Sequence, residues 1–284
     1  GNRALRKNTG NYNTAMGDYA LDQCTTGQQN TAIGAGGPLG ALTTGEFNTA
    51  VGSAAMDAVT SGSSNVGVGV HALSAITDGG GNTAAGYYAL GSTTASHNTG
   101  IGYQALKDCS TGTRNVALGS YALDGITGTN NNVAIGYEAL TSGSNGGAQN
   151  TAVGTYAGQN VSTGSNNTLL GYYSGINITT GDGNVCLGRD AGRTMTGGAT
   201  NTLVGYNAGY DITTGNLNSC VGTSAGGNIT DGDSNTCVGD AAGWELTTGG
   251  NNLLLGKDAG RSASPAQVTT GSNYIVLGDN SITN

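Results

Sequence analysis

Charged residues are scarce in this chain, and their scarcity excludes several kinds of protein. Only 9% of the 284 residues are Asp, Glu, Lys or Arg, against roughly 25% in an ordinary globular domain. The net charge is −8, so the basic footprint of a nucleic-acid-binding protein is absent and we expect no nucleic-acid partner. The low charge content also argues against a disordered tail of the highly charged kind.

Proline, phenylalanine and long apolar runs are also rare. The chain has two Pro and one Phe, and no apolar run approaches the roughly 18 residues that a membrane-spanning helix needs. We therefore expect no membrane insertion in this segment. No signal peptide is visible, and a partial repeat in residues 2–10 predicts that the array begins upstream of Gly1.

Cysteine is limited to five residues, an odd number. Three of them, Cys186, Cys220 and Cys237, occupy the same position of a short repeat. Stacked repeats would hold Cys220 and Cys237 about 4.8 Å apart, which is farther than the Cβ atoms of a disulfide prefer. No Cys-x-x-Cys pair or His cluster accompanies them, so we expect buried free thiols and no zinc site.

Glycine is abundant, with 54 residues, and it ends the phrase that dominates the chain. Asn-Thr-Ala-Val-Gly, or a close variant, occurs sixteen times between Asn13 and Asn273, mostly at steps of 17 residues. A short fixed period is the signature of a solenoid. We predict an all-β fold, a parallel β-roll or β-solenoid of about sixteen rungs. The rungs are so alike that none is marked out for catalysis, so we predict no enzymatic activity, catalytic residue or cofactor.

Each rung, numbered from its Asn, is predicted to contain two extended segments and two turns. Positions 1 to 4 form a strand, the Gly at position 5 makes a corner or takes positive φ, and Thr-Thr-Gly makes the second corner. Position 2 tolerates Thr, Val, Ser and Leu and position 4 is apolar, so we expect both in the core of the roll. The Asn column at position 1 is expected to form an internal ladder of side-chain amides.

Positions 3 and 9 change size in opposite directions along the single repeat array. Position 9 is Met or Leu in all but one rung of residues 13–149 and Gly in residues 150–272, while residues 1–12 form a partial rung and 273–284 a closing rung. Because volume lost on one surface must be regained on the facing one, positions 3 and 9 are predicted to touch, within a chain or between subunits. The predicted interface or facing residues at position 3 are Ala134, Ala152, Leu169, Cys186, Leu203, Cys220, Cys237 and Leu254.

Two further expectations follow from position 3. If this mostly apolar column lies on the outer face of a flat roll, association must hide it. Rung 9 carries small residues at both places, Ala152 and Gly158. A local packing gap, or a change in rotation between subunits, is expected there.

The repeat resembles the Ser-Val-Ala-Ile-Gly rungs of trimeric autotransporter adhesin heads, with Asn-Val-Ala-Leu-Gly119, Asn-Val-Ala-Ile-Gly136 and Asn-Thr-Ala-Val-Gly154 as matching phrases. The longer unit, Asn-Thr-Ala-x-Gly-Tyr-x-Ala-Leu/Gly-x-x-x-Thr-Thr-Gly, is similar to repeat regions of bacteriophage tail fibres and of tail-fibre-like bacterial surface proteins. The resemblance extends from about Asn2 to Asn284. It implies a left-handed homotrimeric β-roll outside the cell, on a virion tail fibre or a bacterial surface, with a host-surface receptor or glycan as partner.

Residues that could carry chemistry are few and scattered. His71 and His97 lie about one and a half rungs apart and form no Ser-His-Asp arrangement. Asp182, Asp231 and Asp233 lie in Gly-rich turns, but the nonapeptide pattern of calcium-binding β-rolls does not repeat, so we expect no metal site.

Tyrosine is the abundant aromatic residue and offers the candidate contact sites. Rows of Tyr at a rung corner predict either packing between rungs or a ladder on which saccharides stack. Trp244, the single Trp, shares a rung with Glu245 and is a lone candidate contact. The candidate surface contacts are Trp244 and, at position 6, Tyr87, Tyr103, Tyr137, Tyr172 and Tyr206.

Three functions remain open, and the sequence favours the first. It is a homotrimeric fibre or adhesin segment, a stiff rod that displays turns for attachment. The second is a monomeric ice- or glycan-binding solenoid, although the Thr residues stand in adjacent pairs such as Thr213-Thr214 and so point two ways. The third is a polysaccharide-cleaving β-helix, which would need a cluster of carboxylates or Arg that interrupts the repeat, and we find none in the sequence.

Overall fold

A computed structural model describes residues 1–141, 147–262 and 267–279. Those ranges contain β-strands and turns but no helix, and hence none long and apolar enough to cross a membrane. The chain divides into two compact units, Gly1–Asn145 and Gly146–Asn284. The last five residues of the predicted closing rung, 280–284, lie outside the described residues.

The described strands are three residues long and parallel to their neighbours in each unit. In the first unit they are β1 (Thr14–Met16), β2 (Thr31–Ile33), β3 (Thr49–Val51), β4 (Val66–Val68), β5 (Thr83–Ala85), β6 (Thr99–Ile101), β7 (Val116–Leu118) and β8 (Val133–Ile135). In the second they are β9 (Thr151–Val153), β10 (Thr168–Leu170), β11 (Val185–Leu187), β12 (Thr202–Val204), β13 (Ser219–Val221), β14 (Thr236–Val238), β15 (Leu253–Leu255) and β16 (Ile275–Leu277).

Consecutive rungs pair in strict register. Leu169 of β10 lies opposite Cys186 of β11, and Cys220 of β13 lies opposite Cys237 of β14, so each column of the repeat is also a column in space. Order along each sheet follows order along the chain. The predicted all-β parallel solenoid with rungs of about 17 residues is therefore confirmed.

The amide ladder at position 1 is present in both units. In the second unit, Asn184 Nδ2 donates to Asn167 Oδ1 at 3.1 Å and to the carbonyl oxygen of Gly198 at 2.8 Å. Its backbone N–H donates to the same Asn167 Oδ1 at 2.9 Å. Each buried amide thus binds the Asn of the preceding rung and the second corner of its own rung, as the repeated Asn predicts.

The prediction that positions 2 and 4 lie in the core is wrong. The middle residue of every strand from β2 to β15 is buried, whereas the residues on either side of it are partly or largely exposed. Side chains alternate along a strand, so position 3 shares the inner face with the Asn at position 1. The Thr, Val, Ile and Leu residues at positions 2 and 4 therefore form the outer face of each sheet.

The same geometry corrects the position of the expected subunit interface. All eight position-3 residues predicted for it are fully buried inside the single chain: Ala134, Ala152, Leu169, Cys186, Leu203, Cys220, Cys237 and Leu254. No surface of these side chains is left for a partner subunit. The alternative prediction, that positions 3 and 9 face one another within one chain, agrees with the packing described next.

Positions 3 and 9 meet across the core. A Cβ added to Gly209 at position 9 would lie 2.6 Å from Leu203 Cδ2, and one added to Gly226 would lie 2.5 Å from Cys220 Sγ. In the first unit the sizes are reversed, since a Cβ added to Gly67 at position 3 would lie 3.0 Å from Met56 Cγ. In these rungs, one large side chain therefore fills the space between the two walls.

Glycine at position 5 is required by close approach as well as by φ. Gly222 has φ of 135°, and a Cβ there would lie 2.5 Å from the carbonyl oxygen of Gly239 one rung away. A methyl group cannot lie so close to that oxygen unless the backbone of one of the two rungs moves. The predicted corner after each strand is thus a column of glycines in direct contact.

The closing rung starts one residue later than the sequence predicts. Asn273 was assigned to position 1, but it has φ of 66° and precedes that position. Tyr274 takes the place instead, and its N–H donates to Asn252 Oδ1 at 2.9 Å. The amide column is therefore continued at β16 by a backbone N–H and not by a side-chain amide.

Candidate functional site

The outer face of each sheet is a regular surface that the repeat creates. Position 4 is apolar in every rung, and no charged residue occurs at position 2 or 4. Leu118 is 45% exposed and Leu170 is 48% exposed. The exposed apolar side chains on this face include Met16, Val66, Val68, Ile101, Val116, Leu118, Leu170, Val221, Val238, Ile275 and Leu277.

Tyrosines of the first unit form a continuous row across rungs 5 to 8. The rings of Tyr87 and Tyr103 are stacked with centroids 5.4 Å apart. Tyr103 then meets Tyr121 edge-on at 5.3 Å, and Tyr121 meets Tyr137 at 6.2 Å. The rings pack between rungs, which was one of the two alternatives predicted for them. The position-6 members Tyr87, Tyr103 and Tyr137 nevertheless each keep more than 40% of their surface exposed.

Tyrosines of the second unit surround two arginines. Tyr172 and Tyr206, both at position 6 and exposed, lie on either side of Arg189, with Arg189 Cζ 5.7 and 5.6 Å from their ring centroids. Asp190, Arg193 and Arg189 belong to one rung, and the carboxylate of Asp190 binds both guanidinium groups. The sequence analysis did not identify these arginines.

A signal for this arrangement was available in the sequence. Gly188-Arg-Asp-Ala-Gly-Arg193 in rung 11 is repeated as Gly256-Lys-Asp-Ala-Gly-Arg261 in rung 15. Asp258 there binds Arg261 and lies 3.9 Å from Lys257 Nζ. Two cations spaced four residues apart around one Asp therefore make a local motif in a chain in which charged residues are few.

Trp244 lies apart from both tyrosine rows. Its half-buried ring covers Gly227, since a Cβ on that residue would lie 2.4 Å from Trp244 Cζ3. Its neighbour Glu245 accepts hydrogen bonds from Ser262 N at 3.1 Å and Gln267 Nε2 at 2.8 Å. Backbone packing and these bonds account for the local geometry, and nothing here joins Trp244 to the other candidate residues.

The acidic residues considered for calcium are hydrogen-bonded to turns. Asp182 Oδ1 accepts the backbone N–H of Ser165 at 2.6 Å, and Asp233 Oδ1 accepts that of Asn216 at 2.7 Å. Asp231 accepts the hydroxyl of Thr230 at 2.9 Å. Within the described ranges, no group of three or more His, Cys, Asp or Glu side chains could hold a metal ion.

The two histidines are likewise separated, and the cysteines are inaccessible. His71 stacks on Tyr88 with ring centroids 4.7 Å apart, while His97 packs beside Gly81, so the two imidazoles are not brought together. All five cysteines are buried free thiols. Burial raises the pKa of the Cys186 thiol to about 12. A thiol of such high pKa is a poor nucleophile at neutral pH.

Comparison of the chain with protein-family models, curated proteins and solved structures gives no match. Function must therefore be argued from the surfaces just described. The uncharged outer faces and the tyrosine clusters are the features that could contact a partner. Each is repeated or extended along a unit, unlike an enclosed catalytic site.

Proposed function

We propose that this chain is a non-enzymatic segment of a fibre or adhesin, in which three copies associate through their outer sheet faces. The observation that supports this most strongly is the uninterrupted apolar column at position 4. Leu170 and Leu118 are nearly half exposed in the isolated chain. Contiguous apolar surface of this kind marks interaction sites in soluble proteins.

The side chains of the outer face suit another copy of this chain as the partner. It has no charge that would demand a complementary partner, and each rung offers the same small and branched side chains. In a cyclic homotrimer a patch of each copy meets a different patch of the next copy, and an uncharged face places no unpaired charge in such a contact. Three copies, as in the adhesin heads that the repeat resembles, would remove the position-2 and position-4 columns from water together.

In the proposed role the segment works mechanically. Nearly every rung is joined to the next by backbone bonds such as Thr202 N to Asn218 O at 2.8 Å and by the amide ladder. Such ladders resist local opening because each rung is held on both sides. The rod would lie outside the cell, on a virion tail fibre or a bacterial surface, and its outer turns would meet a host-surface receptor or glycan.

The solution mass measured by light scattering tests this proposal. We expect three chains for the unaltered protein and a smaller assembly for Leu170→Lys, because a charge on the outer face would be buried among copies. Thr180→Lys adds the same charge at an exposed turn position and should leave the mass unchanged. A monomer at all concentrations would contradict the proposal.

One observation favours a second function, a monomeric ice- or glycan-binding solenoid. Thr hydroxyls at position 2 repeat in register on the outer face, as in Thr31 opposite Thr49 and Thr151 opposite Thr168. A regular hydroxyl and methyl array of this kind could order water or stack a saccharide. A monomeric mass together with thermal hysteresis in freezing solutions would favour this function over the fibre.

A further inference from the structure

A strip of alternating aromatic and cationic side chains crosses rungs 10 to 12 of the second unit. At position 6 the order is Tyr172, Arg189, Tyr206, and the guanidinium lies within 6 Å of both ring centroids. Behind it, Arg193 Cζ lies 4.7 Å from the Tyr173 centroid and 5.8 Å from that of Tyr210. Four tyrosines and two arginines therefore share one surface.

Asp190 orients the two arginines by accepting one hydrogen bond from each guanidinium group. Its side chain is only 4% exposed, and its oxygens accept Arg189 Nε at 2.9 Å and Arg193 Nη1 at 2.7 Å. These are the side-chain hydrogen bonds that the two guanidinium groups donate within the described part of the chain. Arg189 is 60% exposed and bonds to Asp190 through Nε, which leaves its two Nη atoms as a pair of donors for a ligand.

Charge balance makes the strip unusual for this protein. Two arginines and one aspartate give a local excess of one positive charge on a chain of net charge −8. A planar guanidinium with a free edge matches a carboxylate or sulfate, which it can bind through two parallel hydrogen bonds. The flanking rings hold that edge in place by cation–π contact.

We propose that this strip, defined by Tyr172, Arg189, Arg193 and Tyr206, binds an anionic saccharide whose carboxylate or sulfate group contacts Arg189. The sugar ring would pack against the exposed parts of Tyr172 and Tyr206, because tyrosine offers an apolar face beside a polar hydroxyl. A nucleic acid is a poorer fit, since the acidic chain as a whole would repel a polymer of such charge density.

Rung 15 provides an internal control for the argument. Lys257, Asp258 and Arg261 reproduce the charges of rung 11, and Asp258 has a φ of 55° close to the 58° of Asp190. Within the described residues, however, no aromatic ring lies over Lys257 or Arg261. Binding that depends on charge alone should use both rungs, whereas the proposed site needs the tyrosines and exists in rung 11.

Binding is tested by calorimetry on the whole chain at two salt concentrations. The probes are oligogalacturonate for a carboxylate, a sulfated galactan oligosaccharide for a sulfate, and neutral galactan oligosaccharide as reference. We expect at least tenfold tighter binding of one acidic probe than of the neutral one. Which acidic probe binds identifies the anionic group, and either supports the site.

Matched variants then locate the site. Arg189→Gln with Arg193→Gln should weaken binding at least tenfold, while Lys257→Gln with Arg261→Gln should leave it within twofold. Two milder changes guard against misfolding. Tyr206→Ala keeps every charge, Arg189→Lys keeps the ion pair without the planar fork, and each should weaken binding severalfold.

Three outcomes would overturn this inference: no binding of either acidic probe, equal binding of the neutral probe, or equal losses in rungs 11 and 15. The inference rests on the attachment role in the proposed function, but it does not depend on the number of chains. Light scattering on the same samples separates the two, because a trimer that binds no acidic saccharide refutes only the site. A monomer that binds would refute only the trimer.

Discussion

Asn201 and Asn184 are joined by two hydrogen bonds between adjacent rungs. Asn201 Nδ2 and backbone N–H donate to Asn184 Oδ1 at 3.1 and 3.0 Å. The Nδ2 also donates to the Gly215 carbonyl at 2.9 Å, and Asn201 Oδ1 in turn accepts from Asn218. The fully buried side chain of Asn201 thus has all of its polar atoms satisfied, so the polar column leaves no side-chain atom unpaired at this residue.

Replacing Asn201 with Ala should break this column at its centre. The change removes two donated bonds and leaves the backbone N–H and Nδ2 of Asn218 without their acceptor inside the core. An unsatisfied buried group costs about 1–3 kcal/mol, so we expect a loss of about 3 kcal/mol in the free energy of unfolding. Denaturant titration followed by circular dichroism measures it.

The control for that experiment is Thr214→Ala, an exposed residue of the same rung. It should change stability by less than about 0.5 kcal/mol. An Asn201→Ala variant as stable as this control would show that water replaces the missing amide, and the column would then be dispensable.

Much of the fold could be predicted from the repeat because identical residues at a fixed spacing impose identical geometry. The amide ladder, the positive φ of Gly222 and the buried apolar column at position 12 of the rung, which includes Ile212, all follow from single columns. Each of these depends on local chemistry: an amide that needs partners, a missing Cβ, an apolar side chain. None of them requires knowledge of which face of the strand points inward.

The inward face was predicted wrongly, and the reason is physical. An apolar column at position 4 was taken as core, yet Leu170 lies outside while Leu169 fills the interior. The opposite size changes at positions 3 and 9 indicate that both positions face inward, because only residues that meet across a core must compensate for each other's volume. Position 1, correctly placed inside, also shares its face with position 3.

A second ladder escaped sequence analysis altogether. At position 16, Asn130, Ser165 and Asp233 each accept a backbone N–H of the neighbouring rung, at 2.7, 3.2 and 2.7 Å. These residues share only an acceptor oxygen and not an identity. A position that accepts a backbone N–H through three different residue types gives only a weak repeat in the sequence. Asp233 was therefore considered as a possible calcium ligand and not as a member of this ladder.

The packing gap predicted at rung 9, where Ala152 and Gly158 are both small, stays a prediction that a substitution can test. Leu140, at position 9 of the preceding rung, has φ of 51°, and Gly158 has 59°, so the backbone already suits a Leu. Burial of a Leu side chain contributes about 1.5–3 kcal/mol, which offsets about 1–2 kcal/mol of left-handed strain. We expect Gly158→Leu to leave the free energy of unfolding unchanged or raise it by about 1 kcal/mol.

Gly192→Leu is the matched control, with the same substitution in rung 11. A Cβ there would already lie 3.0 Å from both Cys186 Sγ and Leu203 Cδ1, and overpacking costs about 1–3 kcal/mol in addition to the strain. We therefore expect this variant to be at least about 2 kcal/mol less stable than Gly158→Leu in the same titration. Equal losses in the two variants would mean that rung 9 has no gap.

Asp124 should make stability depend on pH between about 4 and 6. Burial raises the pKa of its carboxyl from 3.8 to about 6, against an attraction to Lys107 that lowers it. The folded chain then holds a proton that the unfolded chain has lost, so stability is highest below the unfolded pKa and falls as pH rises through 6. Asp124→Asn should be more stable at pH 7 by about 1 kcal/mol, a figure discounted for half exposure.

That gain should vanish below pH 4, where the carboxyl is protonated in both states. Asp240, an exposed residue at position 6, supplies the control variant Asp240→Asn. Thermal unfolding at pH 3.5 and pH 7 compares the three proteins. A stabilisation by Asp124→Asn that is the same at both values would show that ionisation of Asp124 is not its cause.

The five thiols should be unreactive in the native protein and fully reactive when it unfolds. Cys220 and Cys237 lie directly opposite on β13 and β14, yet both are fully buried and unbridged. Burial also raises the pKa of Cys109 to about 11, so almost no thiolate is present at pH 8. Iodoacetamide treatment followed by mass spectrometry should find no modified cysteine in the native chain and five in denaturant. Rapid labelling of Cys220 or Cys237 alone would show that rungs 13 and 14 open locally, and a pair resistant to labelling in denaturant would show that they had formed a disulfide.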